Sequence, residues 1–174
     1  ELLRAEAIAS AAQFDGVTEF DMPMYQYFMN LCAMPSGWSA AYALPAHRLN
    51  NFPNLSLSRF SRNFKPEMEE LGVWQCLAKS GWHFTHLGGI ERIQYKYSSY
   101  SHKDDPWPQV MSVPGSFEKH IMAGGVVGNF AHKARFTPID STFPDEIRFN
   151  QEAYKKLGFI KNIYDACREM QDMY

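Results

Sequence analysis

The sequence predicts a mixed α/β fold, and three stretches of residues carry that prediction. Residues 2–13 are rich in leucine and alanine and contain neither glycine nor proline, which favours a helix. Residues 81–87, GWHFTHL, read as a short strand that ends at a double glycine. The segment after those glycines has helical spacing, because Ile90, Ile93 and Tyr97 fall on one face.

Shorter elements are expected between these stretches. Residues 24–31, MYQYFMNL, are rich in aromatic side chains and predict a strand. Pro35-Ser36-Gly37 predicts a turn, and further short strands are expected over residues 38–45 and 49–60. Pro53 has no backbone N–H, so it would place the last of these strands at a sheet edge or break it.

Three segments have weak or conflicting patterns. Residues 66–78 stay ambiguous, because Pro66 and the glutamates after it would begin a helix and Gly72 would end it early. Residues 104–108, DDPWP, predict a loop. Residues 126–148 combine glycine, proline, asparagine and histidine with little periodicity, so they predict a long loop of a functional type.

Two helices are predicted towards the end of the chain. Residues 116–122, SFEKHIM, form a short helix candidate, with Ser116 as its cap and Gly124-Gly125 as its end. The last helix is amphipathic, since apolar residues recur at intervals of three and four. These apolar residues are Phe159, Ile160, Ile163, Tyr164, Cys167 and Met170.

Composition predicts a folded domain and limits its partners. A chain of 174 residues with 45% hydrophobic and 21% charged residues fits one globular domain, which we assign to residues 1–174. The net charge of −2 gives no sign of the basic patch that nucleic acid requires, so no nucleic-acid partner is expected. Aromatic residues make up 15% of the chain, which suits either a surface that stacks on sugars or a tight core.

Cysteine usage and hydropathy bear on the compartment. Cys32, Cys76 and Cys167 are widely spaced and include no CxxC pair, which favours a reducing compartment over a disulfide framework. No run approaches the roughly 18 apolar residues of a membrane span, and no signal peptide is recognised, so no membrane segment is expected. The chain begins without methionine and in helical rhythm, which suggests a segment of a longer protein.

Histidines are concentrated in residues 81–104. His83 and His86 form an H-x-x-H pair, which would bind a metal together on a helix but would point to opposite faces on a strand. The strand is the favoured interpretation, so we expect at most one of them to act as a ligand or hydrogen-bond donor. His102 and Asp104 follow the predicted helix, where a carboxylate is usually solvated but would also suit a general base or a hard-cation ligand.

Other chemical motifs are weak. Residues 124–128, GGVVG, match neither the dinucleotide-binding fingerprint nor the phosphate-binding loop. The sequence contains no GxSxG elbow and no HExxH pair. The residues by themselves therefore predict an aromatic-rich α/β domain with a histidine-bearing strand, turn and helix, and they do not name a reaction.

The segment GWHFTHLGGIERIQYKYSSYSHKD, residues 81–104, resembles glycosyltransferase family 17. That family has a Gly-Trp-His segment entering a short loop, then an aromatic-containing helix and a polar turn that ends in an acid. The matching segments are Gly81-Trp82-His83, Gly88-Gly89-Ile90 and Ser101-His102-Lys103-Asp104. Weaker likenesses lie in FDMPMYQYFMNL (20–31), GWSAAYALP (37–45), SFEKHIMAGG (116–125) and FPDEIRFNQEAYKKLGF (143–159).

The resemblance has one clear gap. Members of the family carry an acidic Asp-x-Asp-Glu-Ile-Pro motif that holds the metal and the diphosphate of the sugar nucleotide, and this sequence contains none. By the order of segments, the motif would fall immediately before Glu1. The chain thus resembles the C-terminal, acceptor-side part of a larger glycosyltransferase, with a GT-A-like mixed sheet flanked by helices.

The resemblance also implies a reaction and the residues that serve it. It implies inverting, metal-dependent transfer of a sugar, with N-acetylglucosamine as the expected one, from a UDP-sugar to a glycan acceptor. His83 would reach the metal, Mn²⁺ or Mg²⁺, or a phosphate oxygen. Gly81 and Trp82 would shape the sugar pocket beside it. Asp104 would be the acid at the site, with His102 next to it.

Two other classes of function stay open. A catalytically inactive carbohydrate-binding or scaffold module would keep an aromatic surface and lack the metal motif, whereas a small metal-dependent hydrolase would use the histidines. Metal-supported UDP binding would separate a transferase from the module, and tightly held zinc would mark the hydrolase. The absence of an anchor and of paired cysteines favours a cytoplasmic bacterial or viral protein, while an animal parent that has lost its anchor would imply the Golgi lumen.

Overall fold

The computed structural model describes residues 1–34, 37–51, 65–70, 72–99, 112–125 and 133–172. These residues form a mixed α/β fold that contains two sheets and flanking helices. They belong to two compact units, the first comprising residues 1–23 and 37–83 and the second residues 24–36 and 84–174. Assignment of the whole chain to a single domain stays a prediction.

The first unit is built on a three-stranded mixed sheet. Its strands are β2 (Val17–Met22), β5 (Trp38–Ala43) and β6 (Trp74–Leu77). Strand β2 lies in the centre, antiparallel to β5 and parallel to β6. A shorter antiparallel pair joins β1 (Leu2–Leu3) to the start of β7 (Gly81–Thr85).

Helix α1 (Ala5–Gln13) supplies the other half of the first unit's core. Ala7 and Ala11, one helical turn apart, are buried against Phe20 and Met22 of β2. The four side chains form a single apolar cluster, and alanine on the helix lets the helix approach the sheet closely. This packing fixes β2 as the central buried strand of the unit.

Two short helical segments complete the first unit. They are a 3-10 helix, Ala46–Asn51, and helix α2, Lys65–Glu70. Gly72 follows α2 with φ at 69°, a left-handed backbone that favours glycine. Residues 66–78 therefore contain both a helix and a strand, which explains the conflicting pattern in their sequence.

The second unit contains an antiparallel sheet and most of the helices. Its strands are β3 (Met24–Gln26), β4 (Leu31–Met34) and β8 (Lys133–Phe136), with β4 in the centre. Its helices are α3 (Gly89–Ser98), α4 (Ser116–Met122), α5 (Asp145–Phe149), α6 (Gln151–Lys156) and α7 (Ile163–Asp172).

Strand and helix side chains meet in the core of the second unit. The buried members are Tyr27, Leu31, Ile93, Phe117 and Ile121. The predicted face of α3 is confirmed, since Ile90 and Tyr97 pack against this cluster beside the buried Ile93. Full burial of an aliphatic or aromatic side chain stabilises a fold by about 1.5–3 kcal/mol, so this face anchors α3.

The structure corrects the expected start of the chain. The helix predicted over residues 2–13 is confirmed for residues 5–13. Leu2 and Leu3 form β1 instead, because they pair with Trp82 and Gly81. Strand β2 was not expected at all, since its two acidic residues interrupt the apolar pattern.

Strand ends also differ from the predictions. The strand expected over residues 24–31 stops at Gln26, because the chain turns through Tyr27 with φ at 67° and β4 begins only at Leu31. The strand expected over residues 38–45 is confirmed as β5. Of the strand expected over residues 49–60, the part that is described belongs to the 3-10 helix.

The later helices need similar corrections. Ser116 is the first residue of α4 rather than its cap, and the capping position is Gly115, which makes no side-chain capping bond. The loop expected over residues 126–148 contains β8 and α5. The last helix begins at Ile163, later than the apolar stripe suggested. The turn at residues 35–36, the loop over residues 104–108 and residues 126–132 lie outside the described residues.

Candidate functional site

The candidate site is the strand–turn–helix segment that holds His83 and His86. Strand β7 begins in the first unit, to which His83 belongs, and ends in the second, to which His86 belongs. The strand expected over residues 81–87 is confirmed for residues 81–85, which include His83, whereas His86 lies beyond the end of the strand.

Gly81 opens the strand at a point of close backbone approach. Strand β7 pairs there with β1, where Gly81 lies opposite Leu3 and Trp82 opposite Leu2. A Cβ atom added at Gly81 would collide with the carbonyl oxygen of Leu2. Any larger residue would clash here, so the close packing of β7 against β1 explains why position 81 is a glycine.

Trp82 is buried beneath an arginine. The guanidinium carbon of Arg4 lies 4.2 Å from the centroid of the indole ring, a cation–π contact. Arg4 is held over the ring by its Nε, which donates to the carbonyl oxygen of Lys79 at 3.0 Å. One face of Trp82 is thus covered by protein, so the ring can shape a pocket wall but presents that face to no ligand.

His83 is largely enclosed, with 13% of its side chain exposed. Its imidazole stacks on the indole of Trp38, with ring centroids 4.5 Å apart and an interplanar angle of 17°. Its Nδ1 lies 3.3 Å from Oε1 of Glu1. The backbone N–H of His83 donates to the carbonyl oxygen of Pro23 at 3.0 Å, which fixes the strand beneath the ring.

The donor types around His83 fit a divalent cation. Imidazole nitrogen and carboxylate oxygen both occur as protein ligands of Mn²⁺, while Mg²⁺ favours the carboxylate. His83 and Glu1 would give such an ion one or two ligands. Within the described part of the chain, no three side chains of His, Cys, Asp or Glu come together as a metal-binding group.

His86 lies in a different environment, in the second unit. Its Nδ1 is 3.2 Å from Oγ1 of Thr85, and its Nε2 is 3.3 Å from the hydroxyl oxygen of Tyr97. The rings of His86 and Tyr97 are stacked, with centroids 5.6 Å apart. Lys96 Nζ donates to Oγ1 of Thr85 at 3.0 Å, and partial desolvation lowers the pKa of that ammonium although the residue is exposed.

This set of hydrogen bonds has a preferred direction. Because Lys96 donates to the oxygen of Thr85, the hydroxyl hydrogen of Thr85 is available to Nδ1 of His86. The neutral imidazole then carries its proton on Nε2, which can donate to the oxygen of Tyr97. Both nitrogens of His86 are thus engaged by hydroxyl groups.

The backbone around His86 is strained at two neighbouring places. His86 has φ at 55° and Tyr27 has φ at 67°, both in the left-handed region that residues other than glycine seldom adopt. The backbone N–H of Tyr27 donates to the carbonyl oxygen of Thr85 at 3.2 Å, and the Tyr27 and His86 rings lie 6.2 Å apart. Such residues cost about 1–3 kcal/mol each and are often retained at functional sites.

Two glycines lead from the strand into α3. Gly88 and Gly89 have φ at 96° and 83°, so the double glycine supplies the left-handed backbone with which the chain enters the helix. A Cβ atom at Gly88 would collide with the side chain of Arg92. The predicted turn at this double glycine is therefore confirmed.

Gly81, Trp82 and His83 open strand β7, and their assignment to a functional site stays a prediction. His102 and Asp104 lie outside the described residues, so their roles stay predictions. Trp38 and Glu1 were missed, because no spacing in the sequence links either residue to His83.

The described part of the chain contains no helix that is both long and apolar enough to cross a membrane. Comparisons with protein-family models, curated proteins and solved structures found no match to this chain.

Proposed function

We propose that this chain is the acceptor-side part of an inverting, metal-dependent glycosyltransferase with a GT-A-like fold. It would transfer a sugar, N-acetylglucosamine in the first instance, from a UDP-sugar to a glycan acceptor. The observation that carries the proposal is the strand of Gly81-Trp82-His83, followed by a glycine turn and then by helix α3. This is the order of elements in the segment that resembles glycosyltransferase family 17.

His83 is the proposed metal ligand of this chain. It is enclosed, held at its backbone and stacked on Trp38, so its imidazole is ordered before any ligand arrives. When bound, Mn²⁺ or Mg²⁺ would neutralise charge on the diphosphate that leaves the sugar. Gly81 keeps the backbone at this point close to β1, and the buried ring of Trp82 forms part of the wall.

Asp104 is the proposed general base. Its carboxylate would accept the proton of the acceptor hydroxyl as that oxygen attacks the sugar, and His102 would lie beside it. Both positions come from the resemblance, in which a polar turn ending in an acid follows the aromatic helix. Alanine in place of Asp104 should therefore abolish transfer while leaving donor binding in place.

Metal-supported UDP binding by an active protein that contains this chain tests the proposal. We expect calorimetry to show UDP binding that strengthens with Mg²⁺ or Mn²⁺, and His83→Ala to remove that dependence on metal. His47→Ala is the matched control, because His47 is an exposed histidine that contacts Asp15 on the surface of the same unit. Equal metal-supported binding by wild type and His83→Ala would remove His83 from the site.

A carbohydrate-binding module is the second candidate, and a different surface favours it. Phe149 is 74% exposed and lines a shallow pocket of about 450 Å³. Polar residues line the same pocket, among them Asn150, Gln151 and Glu152, and the guanidinium carbon of Arg148 lies 5.0 Å from the ring centroid. An exposed ring beside amide and carboxylate groups suits the apolar face and the hydroxyls of a sugar.

A sugar titration separates the two candidates. If the chain is a binding module, an N-acetylglucosamine disaccharide should shift the NMR signals of Phe149 and its neighbours without metal, and Phe149→Ala should abolish those shifts. Tyr164→Ala is the matched control, since Tyr164 is 80% exposed on another helix. Sugar binding of this kind, together with no metal-dependent UDP binding, would favour the module over the transferase.

A further inference from the structure

One face of the second unit's sheet carries a row of side chains that the reaction proposed above does not use. Tyr25 of β3 lies directly opposite Cys32 of β4, and Cys32 lies directly opposite Arg135 of β8. Directly opposed residues of antiparallel strands point to the same face of a sheet. The next pair of β4 and β8, Leu31 and Phe136, points the other way and packs into the core. The row therefore lies on the face that is turned away from that core.

Tyr25 combines a buried ring with a hydroxyl group that has no partner in the described part of the chain. The residue is 6% exposed, and its ring packs against Phe84 and Phe143, with centroids 5.4 and 5.2 Å away. The hydroxyl oxygen is not among the fully enclosed polar atoms of the described residues, so it still reaches the surface. The ring is thus held in place while its polar end is available to a ligand.

Arg135 brings a positive charge to the row. Its side chain is exposed, and within the described residues its guanidinium forms no ion pair with a carboxylate. Burial raises the pKa of the Cys32 thiol, and the guanidinium of Arg135 opposes that rise. The guanidinium therefore lies close enough to the middle of the row to act on the thiol beside Tyr25.

Asp140 brings a negative charge to the same hydroxyl group. Its Oδ1 accepts hydrogen bonds from the backbone N–H and the Oγ1 of Thr142, at 2.9 and 2.6 Å, which fix the carboxylate. The turn that carries Asp140 ends at Phe143, whose ring packs against Tyr25. Burial, Cys32 and Asp140 together raise the pKa of Tyr25 to about 12, so the phenol keeps its hydrogen at neutral pH.

We propose that Tyr25, Arg135 and Asp140 form a binding site for the hydroxyl groups of an uncharged sugar. The guanidinium and the carboxylate cancel each other's charge, which favours a neutral ligand over an anion or a cation. A sugar hydroxyl donates one hydrogen bond and accepts two, so it can accept from the guanidinium or the phenol and donate to the carboxylate. The inference goes beyond the proposed transfer, because this site requires neither metal nor nucleotide.

An NMR titration of the labelled 174-residue chain tests the site. The probe is an N-acetylglucosamine disaccharide without metal, and we expect saturable shifts of the Arg135 Nε–H signal and of the Tyr25 ring signals. Inorganic phosphate at equal ionic strength should leave both sets of signals in place, because Asp140 repels an anion. Shifts with phosphate and none with the disaccharide would replace the sugar site by an anion site. No shift with either probe would also overturn the inference.

Tyr25→Phe removes the hydroxyl group and keeps the ring. Because this hydroxyl makes no hydrogen bond within the described residues, the melting temperature should stay the same, while the affinity for the disaccharide should fall about 2–10-fold. A lower melting temperature with unchanged affinity would make the hydroxyl structural and reject its role in binding. Tyr95→Phe is the matched control, since Tyr95 is 75% exposed on α3, and it should change neither measurement.

The two charged groups are tested separately. Arg135→Met keeps an unbranched side chain without the guanidinium, and it should weaken disaccharide binding by about 10-fold or more. Arg168→Met is its control, because Arg168 is an exposed arginine of α7 that pairs with Asp165. Asp140→Asn removes the negative charge, so phosphate should now shift the Arg135 signal. Equal affinity in Arg135→Met, or continued exclusion of phosphate in Asp140→Asn, would contradict the proposed recognition.

The Phe149 pocket and the transferase proposal can each be separated from this site. Phe149 lies on α5 and not on the sheet, so Phe149→Ala should leave the shifts of Tyr25 and Arg135 unchanged. If those shifts disappear in Phe149→Ala, the sugar belongs to the Phe149 pocket and the inference is wrong. Absence of metal-supported UDP binding would reject the transferase and leave the sugar shifts standing, whereas absence of the sugar shifts would reject this site alone.

Discussion

His83 and His86 lie three residues apart and have contrasting surroundings. His83 belongs to an extended strand, and its neighbours are an indole face and a carboxylate. His86 has a left-handed backbone, and hydroxyl oxygens lie against both of its nitrogens. A carboxylate lies beside Nδ1 of His83, whereas both nitrogens of His86 lie against hydroxyl oxygens. The two histidines of the H-x-x-H pair therefore differ in their partners, a difference that their spacing in the sequence does not show.

The largest effect is expected when each of the two imidazoles is removed in turn. If His83 is the metal ligand proposed above, His83→Ala in an active protein that contains this chain should lower kcat/KM by about 10²–10³. His86→Ala should cost less than about tenfold, because its partners are structural. Steady-state kinetics measures both. If His86→Ala lowered kcat/KM more than His83→Ala did, His86 and not His83 would be the histidine that acts in the reaction.

The second prediction concerns the glycines at the two ends of the segment. Gly81→Ala should destabilise the first unit by about 1–3 kcal/mol, because the added methyl group meets backbone that cannot move aside. Gly89→Ala meets nothing within 4 Å, so only its φ of 83° opposes it and the cost should be about 1–2 kcal/mol. Urea unfolding measures both free energies. Gly81→Ala as stable as wild type would contradict the close approach to Leu2.

The parts of the segment that sequence predicted are those with local causes. The apolar face of α3 has a helical period, and the double glycine marks its own turn. The position of Gly81-Trp82-His83 on a strand follows from the same local pattern. These features require no knowledge of residues far away in the chain.

The features that sequence missed depend on distant partners. Strand β2 was missed because Glu19 is 4% exposed, and a buried acid contradicts the usual pattern until its partner is known. That partner is Trp74, whose Nε1 donates to Glu19 at 3.2 Å across a parallel strand pair. The stacking of Trp38 on His83 likewise joins two strands that are remote in the sequence. Such contacts arise from the tertiary fold, so no local spacing in the sequence predicts them.

A smaller effect sharpens the description of His86. Tyr97→Phe removes the hydroxyl oxygen from Nε2 and keeps the stacked ring, so it should cost about 0.5–1.5 kcal/mol, the net worth of one hydrogen bond. Tyr95→Phe is the matched control on the same helix, because Tyr95 is 75% exposed. Thermal unfolding of the two variants should therefore differ. Identical midpoints would mean that the hydroxyl of Tyr97 contributes nothing to holding His86.

The smallest expected effect is a pH dependence at Lys96. In the folded chain, desolvation lowers the pKa of the Lys96 ammonium below its ordinary value of 10.5. Just below pH 10.5, the unfolded chain therefore binds more protons than the folded chain does. The free energy of unfolding should therefore rise with pH towards 10.5, and below the folded pKa the contribution should level off. Lys96→Met removes this contribution, so the difference between wild type and variant isolates it from the other titrating groups. Parallel curves across that window would place the ammonium in ordinary solvent.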